Sequence, residues 1–232
     1  MAVIINIETS AKTCSVALSK DGVVEFQLED SFGMSHATRL APFVERCMEE
    51  LKRKEENPDA VAVSLGPGSY TGLRIGLSLA KGLSFSLDVP LIGISTLQIL
   101  AVKAMFRSME WQGDEIIVPM VDARRMEVFT GAYDFALNEI VKEQPLILNA
   151  DSFGELHQYR KVIFIGDGSE KFKDIYSGEN AVWLGNVMPH AKDMLALSEK
   201  FYREKRFIDV AYSTPNYLKE YQTTIPKNKV LC

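Results

Sequence analysis

Three residues that can handle phosphate and metal-bound water follow the first apolar segment of the chain. The segment Val3–Glu8 predicts a buried strand, and Glu8 at its end is followed at once by Thr9 and Ser10. A carboxylate at a strand end can hold metal-bound water, while hydroxyl and backbone N–H groups can bind phosphate. The Thr-Ser pair can instead satisfy the backbone of a turn, and the fragment by itself favours that interpretation.

A second candidate is the glycine-rich stretch 66–74, which reads GPGSYTGLR. It is predicted to join a buried strand to a helix that begins near Tyr70, with Ser69 as the N-cap. The free N–H groups of a helix start can bind an anion, and Thr71 and Arg74 could contribute further contacts to it. The spacing and the lysine of a P-loop are missing, so a plain strand–turn–helix joint is favoured.

The helix that follows carries small residues every four positions, at Gly72, Gly76 and Ala80. Glycine inside a helix costs up to about 1 kcal/mol relative to alanine, which indicates close approach of another backbone. Leu73 and Leu77 make a further side of the helix apolar. Such a helix is buried in its own chain or contacts an external helix, and both interpretations stay open.

Metal and nucleophile chemistry find little support in the sequence. A zinc-binding helix needs two histidines four residues apart, but His36 is followed by Leu40 at that spacing. There is no GxSxG segment, and none of the three cysteines belongs to a CxxC pair.

Two adjacent arginines, Arg124 and Arg125, stand in a predicted turn between two strands. They could clamp a phosphate or a carboxylate. A solvated turn with local Asp–Arg pairing accounts for them equally well.

The elements that must position these residues follow the order βββαβαβα. A turn at Asp21-Gly22 joins the second and third strands, and one helix is predicted over 35–55 and another over 70–87. After a polar boundary at 107–114 the chain begins with strands again. The second half is therefore interpreted as a shortened repeat of the first, with a helix over 189–204.

Composition limits the class of protein. The 232 residues are 47% hydrophobic and carry a net charge of −5, which fits a globular chain and excludes a general nucleic-acid binder. No apolar run reaches the roughly 18 residues of a membrane helix, and no secretory signal opens the chain. We expect a cytoplasmic protein with reduced cysteines and no membrane contact.

Several short segments, in order over almost the whole chain, carry a specific pattern. They are Ile7–Ser10 (IETS), Cys14–Leu18 (CSVAL), Gly66–Gly76 (GPGSYTGLRIG), Ala80–Leu83 (AKGL), Asp122–Val128 (DARRMEV) and Pro215–Leu218 (PNYL). These segments resemble the motifs of the bacterial TsaB (YeaZ) family. The resemblance implies an actin-like (ASKHA) α/β fold with two lobes, each a mixed sheet flanked by helices. The first lobe would span 1–107, completed by the tail 213–232, and the second 108–212.

The resemblance also implies a function, the making of N6-threonylcarbamoyladenosine at position 37 of tRNAs that read ANN codons. In that system TsaD holds the metal and transfers the threonylcarbamoyl group, and TsaE is a small ATPase. A TsaB-like chain would be a non-catalytic subunit with no cofactor of its own, since ATP and metal belong to TsaD and TsaE. It would dimerise with TsaD, or with itself when TsaD is absent, and meet tRNA mainly through the complex. The alternatives are an actin-like small-molecule kinase or ATPase and, behind it, a glycoprotease-like peptidase.

The resemblance assigns roles to the candidate residues. Glu8, Thr9, Ser10, Ser69, Thr71 and Arg74 become remnants of a phosphate site, and Arg124 and Arg125 an anion-binding turn. The partner interface is expected on the two long helices, at His36, Arg39, Leu40, Phe43, Val44, Tyr70, Gly72, Leu73, Gly76, Leu77 and Ala80. On this view Gly76→Leu would block pairing with TsaD and leave the fold intact.

Overall fold

Two five-stranded mixed sheets form the framework of the molecule. The computed structural model describes residues 2–31, 36–107, 112–176 and 178–219. The first sheet contains β1 (Val3–Glu8), β2 (Cys14–Lys20), β3 (Val23–Asp30), β4 (Ala60–Gly66) and β5 (Leu91–Ser95). The second contains β6 (Glu115–Asp122), β7 (Glu127–Tyr133), β8 (Glu139–Ile147), β9 (Lys161–Gly166) and β10 (Ala181–Gly185). The helices are α1 (His36–Arg53), α2 (Tyr70–Leu87), α3 (Thr96–Arg107), α4 (Glu170–Lys173) and α5 (Leu195–Arg203), with 3-10 turns at Gly154–Gln158 and Ala191–Met194.

The two sheets share one topology. The first has the strand order β3-β2-β1-β4-β5 and the second the order β8-β7-β6-β9-β10. In each, an antiparallel meander of three strands is extended by two parallel strands. The two sheets therefore repeat one arrangement, and the predicted two-lobed α/β fold with a mixed sheet in each lobe is confirmed. The repeat is shortened because α4 and a 3-10 turn stand where the first lobe has two helices of 18 residues.

Local sequence explains the first lobe. The hairpin between β2 and β3 turns on Asp21 and Gly22, which both adopt positive φ. β1 is buried along its whole length, as expected for a strand between an antiparallel and a parallel neighbour. The helix predicted over 35–55 runs from His36 to Arg53, and Ser35 lies outside the described residues.

The apolar face of α1 packs on the first sheet together with α2. The face consists of Leu40, Val44, Cys47 and Leu51, which are buried at helical spacing. Leu77 and Ala80 of α2 belong to the same core cluster. The two long helices thus cover one side of the first lobe.

The other side of the first sheet is covered by α3 and α5, and α3 also packs against the second sheet. Val102 of α3 and Leu197 of α5 share a core cluster with Ile4 and Ile92 of the first sheet. Leu97 and Leu100 of α3 pack against Ile117 and Ile163 of the second sheet in another cluster. The helix predicted over 189–204 is a 3-10 turn followed by α5, and it packs on the first sheet, although the sequence placed it in the second lobe.

The chain after α5 returns to the first lobe. The Ile208 backbone N–H donates to the Leu91 carbonyl over 2.8 Å, and the Asn216 N–H donates to the Leu65 carbonyl over 2.7 Å. Residues 108–111 of the predicted boundary and residues 220–232 of the tail lie outside the described residues. Among the described helices, none combines the length and the apolar character that a membrane span requires.

Candidate functional site

The end of β1 holds a buried carboxyl group. Glu8 is fully buried, and its Oε1 accepts hydrogen bonds from the Ser10 backbone N–H over 2.5 Å and from the Ser64 hydroxyl over 3.1 Å. Its Oε2 is buried without a hydrogen-bond partner within the described parts of the chain. Burial raises the pKa of Glu8 above its ordinary value, which these hydrogen bonds only partly offset. The Glu8 carboxyl group therefore binds groups of its own chain, the Ser10 backbone N–H and the Ser64 hydroxyl of β4.

The strand end is closed by the glycine turn and the first turn of α2. A Cβ atom on Gly68 would lie 2.3 Å from the Ser10 carbonyl oxygen, and one on Gly72 would lie 2.2 Å from the Thr9 carbonyl oxygen. The Ser69 N–H also donates to the Ser10 carbonyl over 2.7 Å. The space beside the strand end is therefore occupied by α2 itself.

Four of the six residues assigned to a phosphate site, namely Glu8, Thr9, Ser10 and Ser69, are brought together here. Ser69 caps α2, as predicted, by accepting the Gly72 N–H over 3.2 Å. Thr71 and Arg74 are exposed on α2. The Arg74 guanidinium lies 5.2 Å from the centre of the Tyr70 ring and donates to its hydroxyl, away from the acid of β1.

Most residues of the expected partner interface are buried in the chain's own core, and the interface itself stays a prediction. A Cβ atom on Gly76 would lie 2.2 Å from the Thr9 Oγ1, so the small-residue ridge packs against β1. Gly76→Leu would disturb the fold itself. The buried members of the expected set are His36, Leu40, Val44, Gly72, Leu73, Gly76, Leu77 and Ala80. Arg39 and Tyr70 are exposed and Phe43 is half-buried, so only these three can contribute side chains to an outer surface.

The surface that α2 offers to solvent lies on its opposite face. It consists of Thr71, Arg74, Ser78, Gly82 and Phe85, and we call it the outer face of α2. Phe85 is 81% exposed, and nothing lies within 4 Å of a Cβ atom placed on Gly82. The spacing of three and four residues was visible in the sequence, but an aromatic side chain on a polar stripe gave no local signal of exposure.

The turn with Arg124 and Arg125 is held by its neighbours. The Arg124 N–H donates to Asp122 Oδ1 over 3.0 Å, and the Lys171 ammonium donates to the Arg125 carbonyl over 2.9 Å. Both arginines adopt positive φ and have exposed side chains. An anion-binding role for them stays a prediction.

His36 is buried, and its Nε2 lacks a hydrogen-bond partner among the residues that are described. Within the same residues there is no group of three histidine, cysteine or acidic side chains that could hold a metal ion.

Comparisons with known proteins agree with this architecture. The family model for TsaD, tRNA N6-adenosine threonylcarbamoyltransferase, matches residues 32–227. A tRNA threonylcarbamoyladenosine biosynthesis protein TsaB from Bacillus subtilis is 31% identical over 93% of this chain and 93% of its own. The protein of the same name from Escherichia coli is 29% identical over 93% of this chain and 94% of its own. The solved structure of YeaZ from Pseudomonas aeruginosa superimposes with a TM-score of 0.78 at 26% identity, covering 94% of this chain and all of that one.

Proposed function

This chain belongs to the TsaB family of tRNA threonylcarbamoyladenosine biosynthesis proteins, and we propose that it acts there as a non-catalytic subunit that pairs with TsaD. TsaD would carry the metal and the transfer chemistry, and TsaE would supply the ATPase. The chain would need no cofactor of its own, would pair with itself when TsaD is absent, and would meet tRNA mainly through the complex. The cytoplasm is the compartment where these partners and tRNA would be found.

The observation that supports a non-catalytic role is the closed end of β1. Gly68 and Gly72 bring the glycine turn and α2 into contact with the carbonyl oxygens of Ser10 and Thr9. The Glu8 carboxyl group accepts hydrogen bonds from the Ser10 N–H and the Ser64 hydroxyl. A phosphoryl group needs open N–H donors and a free carboxylate for its metal at such a strand end. This arrangement favours a scaffold over the alternative of a kinase or ATPase.

The surface that fits a helical partner is the outer face of α2 together with the exposed flank of α1. It combines an exposed aromatic, Phe85, with Arg74 and the exposed Arg39, which pairs with Asp30 over 3.3 Å. Aromatic and arginine side chains are enriched among the residues that dominate binding energies. The partner surface is therefore proposed at these residues, in place of the buried glycine ridge.

Reconstitution of the modification reaction tests the proposal. TsaD and TsaE of the same source are incubated with tRNA, threonine, bicarbonate and ATP, together with the enzyme that makes the threonylcarbamoyl donor, with and without this chain. We expect modified tRNA only when the chain is present, and no ATP turnover by the chain alone. Full modification without it would overturn the scaffold role. Turnover of ATP by the isolated chain that disappears in Glu8→Gln would favour the ATPase alternative.

A charge placed on the outer face of α2 tests the interface. Ser78→Arg introduces a long cation in the middle of that face, and Ala150→Arg introduces the same group at an exposed turn of the second lobe. We expect Ser78→Arg to raise the dissociation constant for TsaD at least tenfold, so that the two proteins no longer co-elute in size-exclusion chromatography. Ala150→Arg should leave the dissociation constant unchanged. Equal pairing by both variants would place the partner elsewhere on the chain.

A further inference from the structure

An apolar cavity of about 380 Å³ is lined by residues of α3, of α5 and of the turn that joins β7 to β8. None of the described residues that line it belongs to β1, to α2 or to the sequence motifs. Its volume falls in the range of about 300–1,000 Å³ that small-molecule sites occupy. Among the described lining residues Lys200 alone carries a charge, and the others are apolar. The cavity is therefore a site that the proposed function does not use.

Two aromatic side chains that line the cavity remain open to solvent. Phe106 of α3 is 78% exposed, and Phe135 of the turn is 50% exposed. Folding commonly removes phenylalanine from water, because its apolar surface is costly to hydrate. Single exposed apolar residues are ordinary, but two aromatic rings beside one apolar cavity form a surface suited to binding.

The wall that Phe135 and Leu137 form is held by hydrogen bonds within the turn. The Asp134 carboxylate accepts the Asn138 backbone N–H over 2.9 Å and the Asn138 side-chain amide over 2.8 Å. The Leu137 N–H donates to the Asp134 carbonyl over 3.0 Å. Leu137 has a φ of 63°, a conformation that a bulky side chain rarely adopts, and it packs there against the core clusters of both sheets. This wall of the cavity is therefore formed before any ligand binds.

The positive charge of Lys200 has no counter-ion within the described parts of the chain. On the same helix Glu199 pairs with Arg203 over 2.9 Å, and in the neighbouring turn the Asp134 carboxylate accepts from Asn138. Lys200 lies one helical turn after Ala196, which also lines the cavity, so both stand on the face of α5 that borders it. One uncompensated cation thus stands beside an apolar wall.

We propose that this cavity binds a small apolar carboxylate, with its hydrocarbon body against α3 and the turn and its carboxylate on the Lys200 ammonium. An apolar lining takes up the body, and a single charged group fixes the orientation of the ligand. The carboxylate and the ammonium form a charge-assisted hydrogen bond. A second charge on the ligand would be left without a partner beside apolar surface, which is costly. The ligand class is therefore a monoanionic fatty or aromatic acid.

Amide NMR titration of the full chain with matched acids and alcohols tests the proposal. Cinnamate and octanoate are the acids, while cinnamyl alcohol and octanol carry the same bodies without the charge. We expect saturable shifts from at least one acid, confined to α3, α5 and the β7–β8 turn, with a dissociation constant of about 1 mM or lower. The matching alcohol should bind about tenfold more weakly, since a hydrogen bond to a charged group contributes about that factor.

Four variants separate the charge from the cavity. Lys200→Gln should weaken binding of the acid about tenfold and leave the alcohol unchanged. Lys173→Gln, at an exposed lysine of α4, is the matched control and should change neither. Ala196→Phe places a ring in the cavity from an exposed position of α5 and should abolish binding, whereas Ala150→Phe at an exposed turn should not. Thermal unfolding, recorded by circular dichroism, verifies that each variant is folded.

Three results would overturn the proposal. The first is the absence of saturable binding by both acids up to about 10 mM. The second is equal affinity for acid and alcohol, or an equal loss in Lys200→Gln and Lys173→Gln, because the charge would then have no role. The third concerns Trp111, which follows α3 in the sequence and lies outside the described residues. A gain of tenfold or more in Trp111→Ser would identify the chain's own side chain as the occupant of the cavity.

Discussion

A Cβ atom on Gly72 would lie 2.2 Å from the backbone carbonyl oxygen of Thr9. Thr9 is fully buried at the end of the central strand β1, so its carbonyl cannot yield without moving the sheet. The glycine therefore lets α2 approach the strand end as closely as it does. The same contact closes the place where a phosphate-binding strand end would be open. One residue type thus accounts for both the packing of α2 and the loss of an accessible site.

Gly72→Ala is predicted to destabilise the protein. The added methyl group meets backbone, and overpacking of this kind costs about 1–3 kcal/mol in the free energy of unfolding. Gly82→Ala is the matched control on the same helix, because nothing lies within 4 Å of the added Cβ atom. There the better helix propensity of alanine should raise the free energy of unfolding by about 0.4–1 kcal/mol. Urea denaturation gives the free energy of unfolding of each variant. Equal values for Gly72→Ala and Gly82→Ala would contradict the close approach of α2 to the Thr9 carbonyl.

The order of elements in the first lobe, the turn at Asp21-Gly22, the buried face of α1 and the cap at Ser69 could all be predicted from the sequence. Each depends on a local pattern: alternation, helical spacing or a turn residue. The direction of the glycine ridge could not be predicted in the same way. A helical period identifies which residues share a face, but it does not identify what that face packs against. Since α2 is apolar on more than one side, the inner and outer faces could not be told apart.

A hydrogen-bond cluster around the Lys103 ammonium group was missed for a different reason. Its partners Met188, His190 and Asp193 lie 85 to 90 residues away along the chain. No spacing rule joins groups at such a separation, and nothing local in the sequence of α3 marks Lys103 as the centre of a cluster. Only the packing of α3 between the lobes brings them together.

Glu8→Gln is predicted to alter how stability depends on pH. Burial raises the pKa of Glu8 in the folded state above the ordinary value of 4.5. Its favourable contribution is therefore fully present below pH 4.5 and is lost as the pH rises through the raised folded value. Glutamine keeps an oxygen for the Ser10 N–H and the Ser64 hydroxyl but does not ionise. We expect the variant to be more stable at pH 8, relative to the wild type, than it is at pH 4.5. The difference in the free energy of unfolding, variant minus wild type, should therefore increase between these two pH values.

The control for this experiment is Glu45→Gln, at an exposed position of α1. Urea denaturation at pH 4.5, 6 and 8 gives the difference from the wild type for each variant. That difference should change with pH for Glu8→Gln and stay nearly constant for Glu45→Gln. A constant difference for both would show that Glu8 takes up no extra proton on folding.

Lys103→Met is predicted to cost about 3–5 kcal/mol in the free energy of unfolding, because it leaves the carboxylate of Asp193 buried without its counter-ion. The Lys103 and Asp193 side chains are only 9% and 13% exposed. Arg203→Gln breaks the pair with Glu199, in which the arginine is 70% exposed, and should cost no more than about 1 kcal/mol. Adding Asp193→Asn to Lys103→Met should restore part of the loss. If the double variant loses the sum of both single losses, the two residues are not coupled.

Phe85→Ser is predicted to weaken pairing with TsaD without weakening the fold. Phe85 is 81% exposed near the end of α2, so its removal should change the free energy of unfolding by no more than about 0.5 kcal/mol. An exposed aromatic that becomes one of the dominant residues of an interface contributes about 2 kcal/mol or more to binding, which corresponds to a loss of about 30-fold or more in affinity. Phe106→Ser is the matched control, since Phe106 is 78% exposed at the end of α3. Affinities for TsaD, measured by surface plasmon resonance, should fall for Phe85→Ser alone; a loss confined to Phe106→Ser would move the partner surface to α3.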